Sequence, residues 1–116
     1  MPDLRLNHRT LPNNIVMIEA EGFLDAYTCD SLNKLIQSLF DRHCYRLIVR
    51  LDKLEYIASA GAGVFIWATQ QIDDNQGGLV FLNPSATVRE IFDLLGLAQI
   101  FKFAETPEQA AACLSE

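Results

Sequence analysis

The sequence predicts a single α/β domain, a mixed β-sheet with an opening hairpin and then parallel strands, covered by about four α-helices. Three observations carry this. Two extended runs open the chain with only a turn between them; the apolar spacing then changes from strand-like to helical; and short β-rich runs alternate with amphipathic stretches to the end. A chain of 116 residues, 50% of them hydrophobic, fits one core, so residues 1–116 are read as one domain. No internal repeat, low-complexity tract or linker interrupts it.

The elements follow in order. "LRLNHRTL" and "IVMIEAEG" are strands, and Pro12 to Asn14 between them is a turn. From Thr28 onward Leu32, Leu35, Ile36, Leu39 and Phe40 fall at helical spacing, with Asp25 or Thr28 able to cap the start. "RLIVRL" at 46–51 is the next strand. A helix follows from about Ala60 to Asn75, closed by Gly77-Gly78 as the left-handed stop. "LVFLN" is a buried strand, and after Pro84 the stripe Val88, Ile91, Phe92 and Leu95 marks a third helix that Gly96 ends. Ile100 to Phe103 adds a short strand. "TPEQ" at 106–109 places Thr at the N-cap, Pro at the first helical position and Gln three residues after the cap, which starts a final helix. Parallel strands joined this way take right-handed crossovers.

Composition excludes several functions. With net charge -6 and pI near 4.8 the chain offers no Lys/Arg stripe to displace counterions, so direct nucleic-acid binding is not expected and a protein partner or small ligand fits better. The start, "MPDLRLNHRT", has no secretory pattern, and the longest nearly uncharged apolar stretch, Ile57 to Thr69, falls short of the ~20 residues that span a bilayer. A soluble, cytoplasmic protein without a transmembrane segment is expected. Cys29, Cys44 and Cys113 form neither a zinc pattern nor a disulfide framework; Cys29 and Cys113 read as small apolar fillers of helices. His43 and Cys44 are adjacent, so their side chains diverge, and "DRHCYR" reads as a solvated helix end. No metal, cofactor or catalytic residue is assigned.

One serine, Ser59 in "YIASAGAGVF", stands among alanines and glycines at a strand-to-helix junction. As a nucleophile it would need G-x-S-x-G, but Ile57 occupies the first glycine position, and the only histidines are His8 and His43. As part of a phosphate loop "SAGAG" lacks the lysine of G-x-x-x-x-G-K-[ST] and the spacing of G-x-G-x-x-G. As a helix cap it would accept a hydrogen bond from an N–H one turn in, with Gly61 and Gly63 letting helix and sheet approach closely. A serine so placed is also suited to phosphorylation, since the positive end of the helix dipole tolerates the phosphate.

Three stretches, "GFLDAYT" at 22–28, "LEYIASAGAGVF" at 54–65 and "GGLVFLNPSATVREIFDLLGL" at 77–97, together resemble the STAS domain of bacterial anti-sigma factor antagonists. The resemblance covers nearly the whole chain and implies the mixed sheet described above. It also implies partner switching. In such proteins the unphosphorylated domain binds an anti-sigma factor that is also a serine kinase, and phosphorylation ends the binding. The phosphorylated serine falls on Ser59, and the resemblance places Asp25, Tyr56, Ala58, Ala60, Gly61 and Ala62 with it at the partner surface. The pattern departs at Ala58, where the family carries aspartate, and at Ala60, often Ser or Thr. A carboxylate at 58 could orient the hydroxyl or contact the partner; alanine does neither.

Two functions from different classes remain. The first is a non-catalytic anti-sigma factor antagonist regulated at Ser59. The second is a constitutive accessory subunit of a larger assembly, a lipid-transport machine or a stress-sensing complex, in which Ser59 serves only as a cap. A homodimer is compatible with either. Within "VFIW" at 64–67 at least one large side chain must leave the core face; Phe65 and Trp67 default to packing, and either one, like Tyr56, would be a partner anchor if exposed beside Ser59.

Overall fold

The computed structural model describes residues 3–114. Strand β1 (Leu4–Leu11) turns through a short 3-10 segment at Pro12–Asn14 into β2 (Ile15–Leu24), with an antiparallel register running from Leu4 opposite Gly22 to Leu11 opposite Ile15. Asn13 and Asn14 make the turn at φ 66° and 61°, a region that asparagine enters more readily than most residues. Helix α1 (Cys29–Asp41), β3 (Arg46–Arg50), β4 (Leu54–Ile57), α2 (Ser59–Asp74), β5 (Gly78–Leu82), α3 (Ala86–Leu94), β6 (Lys102–Ala104) and α4 (Pro107–Leu114) follow.

The strands form one six-stranded sheet in the order β1-β2-β3-β5-β6, with β4 also paired to β2. Strand β2 is long enough to take two successive parallel partners along one edge: β3 against Val16–Glu19, then β4 against Gly22–Leu24. From there to β6 all pairing is parallel, as the sequence predicts. Strand β4 is an addition to that prediction, which passes from the strand at 46–51 to the helix.

Alternation along the strands sorts side chains onto two faces. One presents Val16, Ile18, Leu47, Val49, Leu79 and Phe81 to the apolar stripes of α1, α2 and α3. The other presents Ile15, Met17, Ile48, Val80 and Leu82 to Ala110 and Leu114 of α4. Helix α4 covers only part of that face. The rest is a solvated charge ladder in which Arg5 pairs with Glu21 at 2.8 Å and Arg50 with Asp52 at 2.9 Å.

Helix ends show where local chemistry was legible. The Thr106 hydroxyl accepts the Gln109 N–H at 3.1 Å while the Gln109 side chain accepts the Glu105 N–H at 3.0 Å, a variant of the capping box. Ser85 caps α3 by accepting the Val88 N–H, and donates to the Leu54 carbonyl at 2.8 Å, tying α3 to β4. Gly96, at φ 74°, ends α3 as expected. The stop after α2 differs: Gln76 takes the positive φ of 60°. Gly77 is there for a different reason, since a Cβ on it would lie 2.0 Å from the Tyr45 carbonyl oxygen. Of the thiols, Cys29 is half-buried but Cys113 is exposed, so it fills nothing. His43 lies exposed just past the end of α1, the solvated helix end expected.

Candidate functional site

Two chain segments meet where β2 and β4 end. Leu24 pairs with Ile57, and its carbonyl accepts the Ala58 N–H at 2.8 Å. Asp25 follows the first residue of that hydrogen bond and Ser59 the second, so the two polar side chains flank one backbone link. Helix α2 is drawn close because Gly61 lies on Leu24: a Cβ at 61 would sit 2.6 Å from Leu24 Cγ and 3.1 Å from its carbonyl oxygen. Gly63 is exposed with nothing near its missing Cβ, so only the first of the two glycines serves the close approach.

The turn from Asp25 to Thr28 is closed by its own side chains. Asp25 Oδ1 accepts the N–H groups of Tyr27 at 2.9 Å and Thr28 at 3.1 Å. Thr28 Oγ1 accepts the Asp25 N–H and donates to the Phe23 carbonyl, each at 2.9 Å. This explains the spacing of Gly22-x-Leu24-Asp25-x-x-Thr28: aspartate and threonine staple the loop ahead of α1. The loop displays Tyr27, 91% exposed, and the ring of Phe23, just before the loop, lies 6.3 Å from that of the exposed Tyr56.

Ser59 is not the cap of α2. The helix begins at Ser59 itself, and the N-cap is Ala58, extended at φ -93° and ψ 169°, with no side chain to offer. Ala58 is fixed there by its bond to Leu24. Among the described residues the N–H groups of Ser59, Ala60 and Gly61 have no acceptor, as the first turn of any uncapped helix leaves them. The Ser59 hydroxyl is exposed and makes no cap hydrogen bond, so it is available for chemistry.

Among the residues expected at the partner surface, Tyr56, Ser59 and Ala60 are exposed and Asp25 and Ala58 half-buried. Gly61 and Ala62 are buried and face the sheet, so they set the position of α2 and present no side chain to a partner. Phe65 is likewise core. Trp67 is half-buried, its ring 5.5 Å from Phe40, and with Ala60, Gly63 and Val64 it forms one side of an open groove of about 410 Å³ facing Asn33 and Gln37 of α1. Ile66 is the member of "VFIW" that leaves the core face. Tyr27 and the α1 wall escaped the sequence reading; the one available signal was an aromatic residue inside a stapled loop, outside any apolar stripe.

The STAS domain profile matches residues 8–110 of this chain. The chain belongs to the STAS family. A relative in Bordetella bronchiseptica, BtrV, described as an anti-sigma factor antagonist, is 32% identical over 92 residues, covering 79% of each chain. The anti-sigma F factor antagonist of Lysinibacillus sphaericus is 29% identical over 96 residues, covering 82% of this chain and 81% of its own. Among solved structures, Bacillus SpoIIAA in its phosphorylated form superposes with a TM-score of 0.73 at 23% identity, covering 94% of this chain and 98% of that one. At that identity the likeness concerns the fold. The STAS fold thus accounts for the stapled loop and the α2 start lying side by side.

One test of the α2 start follows from this STAS geometry. Ala58→Asp should place a carboxylate on the unsatisfied N–H groups of Ala60 or Gly61 and raise stability by about 1 kcal/mol, read as a higher denaturant midpoint at unchanged slope. An unchanged midpoint would show that those groups are already satisfied.

Proposed function

We propose that this STAS domain is an anti-sigma factor antagonist that binds an anti-sigma factor with serine kinase activity, and that phosphorylation of Ser59 ends the binding. The observation that supports it is the exposed Ser59 hydroxyl, unused by the fold, at the first position of a 16-residue helix, with the Asp25 loop tied to that helix start by the Ala58 N–H to Leu24 carbonyl bond. In this reading the domain is the kinase's substrate and catalyses nothing. Its surface carries two exposed tyrosines, the type of side chain that anchors interfaces. A phosphoryl group would be tolerated by the uncapped N–H groups of α2, so the fold survives. The same group adds nearly two negative charges beside Asp25 at the surface a partner must desolvate. The kinase and its target meet in the cytoplasm.

The experiment is calorimetric titration with the cognate anti-sigma factor. Ser59→Ala should bind as the parent does, and Ser59→Asp at least about ten-fold more weakly, equivalent to about 1.4 kcal/mol. Equal affinities for the two variants would remove the switch.

The second reading, a constitutive accessory subunit of a lipid-transport or stress-sensing assembly, is favoured by Ala58, which leaves no carboxylate at the position directly before the serine. Intact-mass analysis and phosphopeptide mapping of the protein from its own host, in growth and under stress, separate the two. Condition-dependent phosphate on Ser59 supports the switch. A protein that stays unmodified while bound to partners supports the accessory role.

A further inference from the structure

Six large hydrophobic side chains are exposed among the described residues, and only Tyr27 and Tyr56 belong to the site above. Leu94, Leu95 and Ile100 fall within seven residues of chain at the end of the sheet where α2 and α3 stop, ahead of the parallel neighbours β5 and β6. Leu94 ends α3, Gly96 reverses the chain at φ 74°, and Leu97 is drawn inward by its N–H bond to the Phe92 carbonyl. Ile100 then returns to α2, sharing a depression with Thr69 and Asp73 of its last two turns. Leu94 is 79% exposed and Ile100 62%. Because Ser59 starts α2 and Asp73 nearly ends it, about 21 Å of helix separates this patch from Ser59.

The rim of the patch is acidic. Asp73 and Asp74 close α2, and Glu90 stands one turn before Leu94 on α3. None of the three makes an ion pair among the described residues; Asp93 is bound by Arg89, and Lys102 is the one cation at the depression. Helix C-termini carry partial negative charge and favour cations in their last turn. Here neither α2 nor α3 has a basic residue in its last turn; α2 ends in Asp73 and Asp74, and α3 carries Asp93 just before its last residue. Local stability is not served by this arrangement, and violations of that kind collect at functional surfaces.

We infer that this end of α2 and α3 is a second docking surface, for a Lys/Arg-rich amphipathic segment of a protein partner. Leu94, Leu95 and Ile100 would take its apolar stripe, while Asp73, Asp74 and Glu90 meet its cations. Charge complementarity selects this occupant. A second copy of the chain would bring the same acidic rim against itself, and an anionic membrane surface would be repelled as well. Bound there, a partner would leave Ser59 open, so the domain could hold two proteins at once.

The test uses a short synthetic amphipathic helix with leucine on one face and lysine on the other, titrated into isotopically labelled protein and followed by amide shifts. Shifts are expected in Ile66 to Asp74 and Glu90 to Lys102, saturating, and weakened by added salt. The peptide with glutamate for lysine should cause none. Combining Leu94→Ser with Ile100→Ser should weaken binding at least ten-fold, as should Asp73→Lys with Asp74→Lys; all four positions are exposed, and the amide spectrum verifies the fold. Shifts centred on residues 22–28 and 56–60, or equal affinity for parent and Leu94/Ile100 variant, would overturn the inference. So would binding to anionic vesicles, or a parent dimer in sedimentation that the Leu94/Ile100 variant abolishes.

Discussion

Phe81→Ala is expected to cost about 3–5 kcal/mol of folding stability, the range for emptying a buried aromatic site. At this chain length each kcal/mol moves the melting temperature by roughly 4 °C, so thermal unfolding should begin about 12–20 °C lower. The reason is position. Phe81 is fully buried on β5, its ring 4.9 Å from Phe65 of α2, 5.3 Å from Phe92 of α3 and 4.8 Å from Phe101. Three elements therefore rest on one side chain, and their rigid rings cannot all collapse into the void. Phe81→Leu should lose much less, because an aliphatic side chain fills most of the space. A melting loss under about 5 °C for the alanine variant would mean the cluster repacks, and that α2 and α3 are held independently.

The parts of this fold legible in the sequence are those written in local spacing. The stripes of α1 and α3, the Asn-rich turn of the hairpin and the Thr106–Gln109 cap all depend on neighbours within a turn or two. Strand β4 does not. Its four residues are buried at the two ends and exposed between them, so Leu54–Ile57 shows no alternation; pairing with the far half of β2 makes it a strand. The Gly77 contact with Tyr45 is likewise long-range, and glycine at that position looks in sequence like an ordinary helix stop.

The candidate site divides the same way. Ser59 and Asp25 were visible as residue types at a junction and in a loop, and the resemblance supplied their pairing. Whether Ser59 is the cap or follows it turns on one backbone bond, Ala58 N–H to the Leu24 carbonyl, made across 34 residues of chain. Burial of Gly61 and Ala62 follows from the same bond, because it decides which side of α2 faces the sheet. The patch at the far end was hidden for another reason: Leu95 belongs to the apolar stripe in sequence, yet it lies just past the end of α3 and is exposed there beside Leu94, which the helix turns away from buried Phe92.

Gly22→Ala should lose about 2–5 kcal/mol and disturb the site with it. Gly22 sits at φ 106°, where an L side chain costs roughly 1–2 kcal/mol. Its Cβ would also lie 2.3 Å from the Asp3 carbonyl oxygen, and relieving a clash of that kind costs a further 1–3 kcal/mol or so. That carbonyl is not free to move, since it accepts the Phe23 N–H at 2.8 Å, while the Gly22 N–H reaches Lys53. The register of β2 against β4 shifts between Gly22 and Phe23. Moving this residue therefore displaces Leu24, on which Gly61 rests, and Asp25, which staples the loop. Denaturant unfolding should show the lowered midpoint, and amide shifts should change from Phe23 to Thr28 and at Ala58 to Gly61. Gly63→Ala is the contrast: an exposed helical position with open space should gain about 0.5–1 kcal/mol. If Gly22→Ala unfolded at the parent's midpoint, the irregularity in β2 would have no part in aiming the loop, and the Asp25–Thr28 hydrogen bonds alone would have to place it.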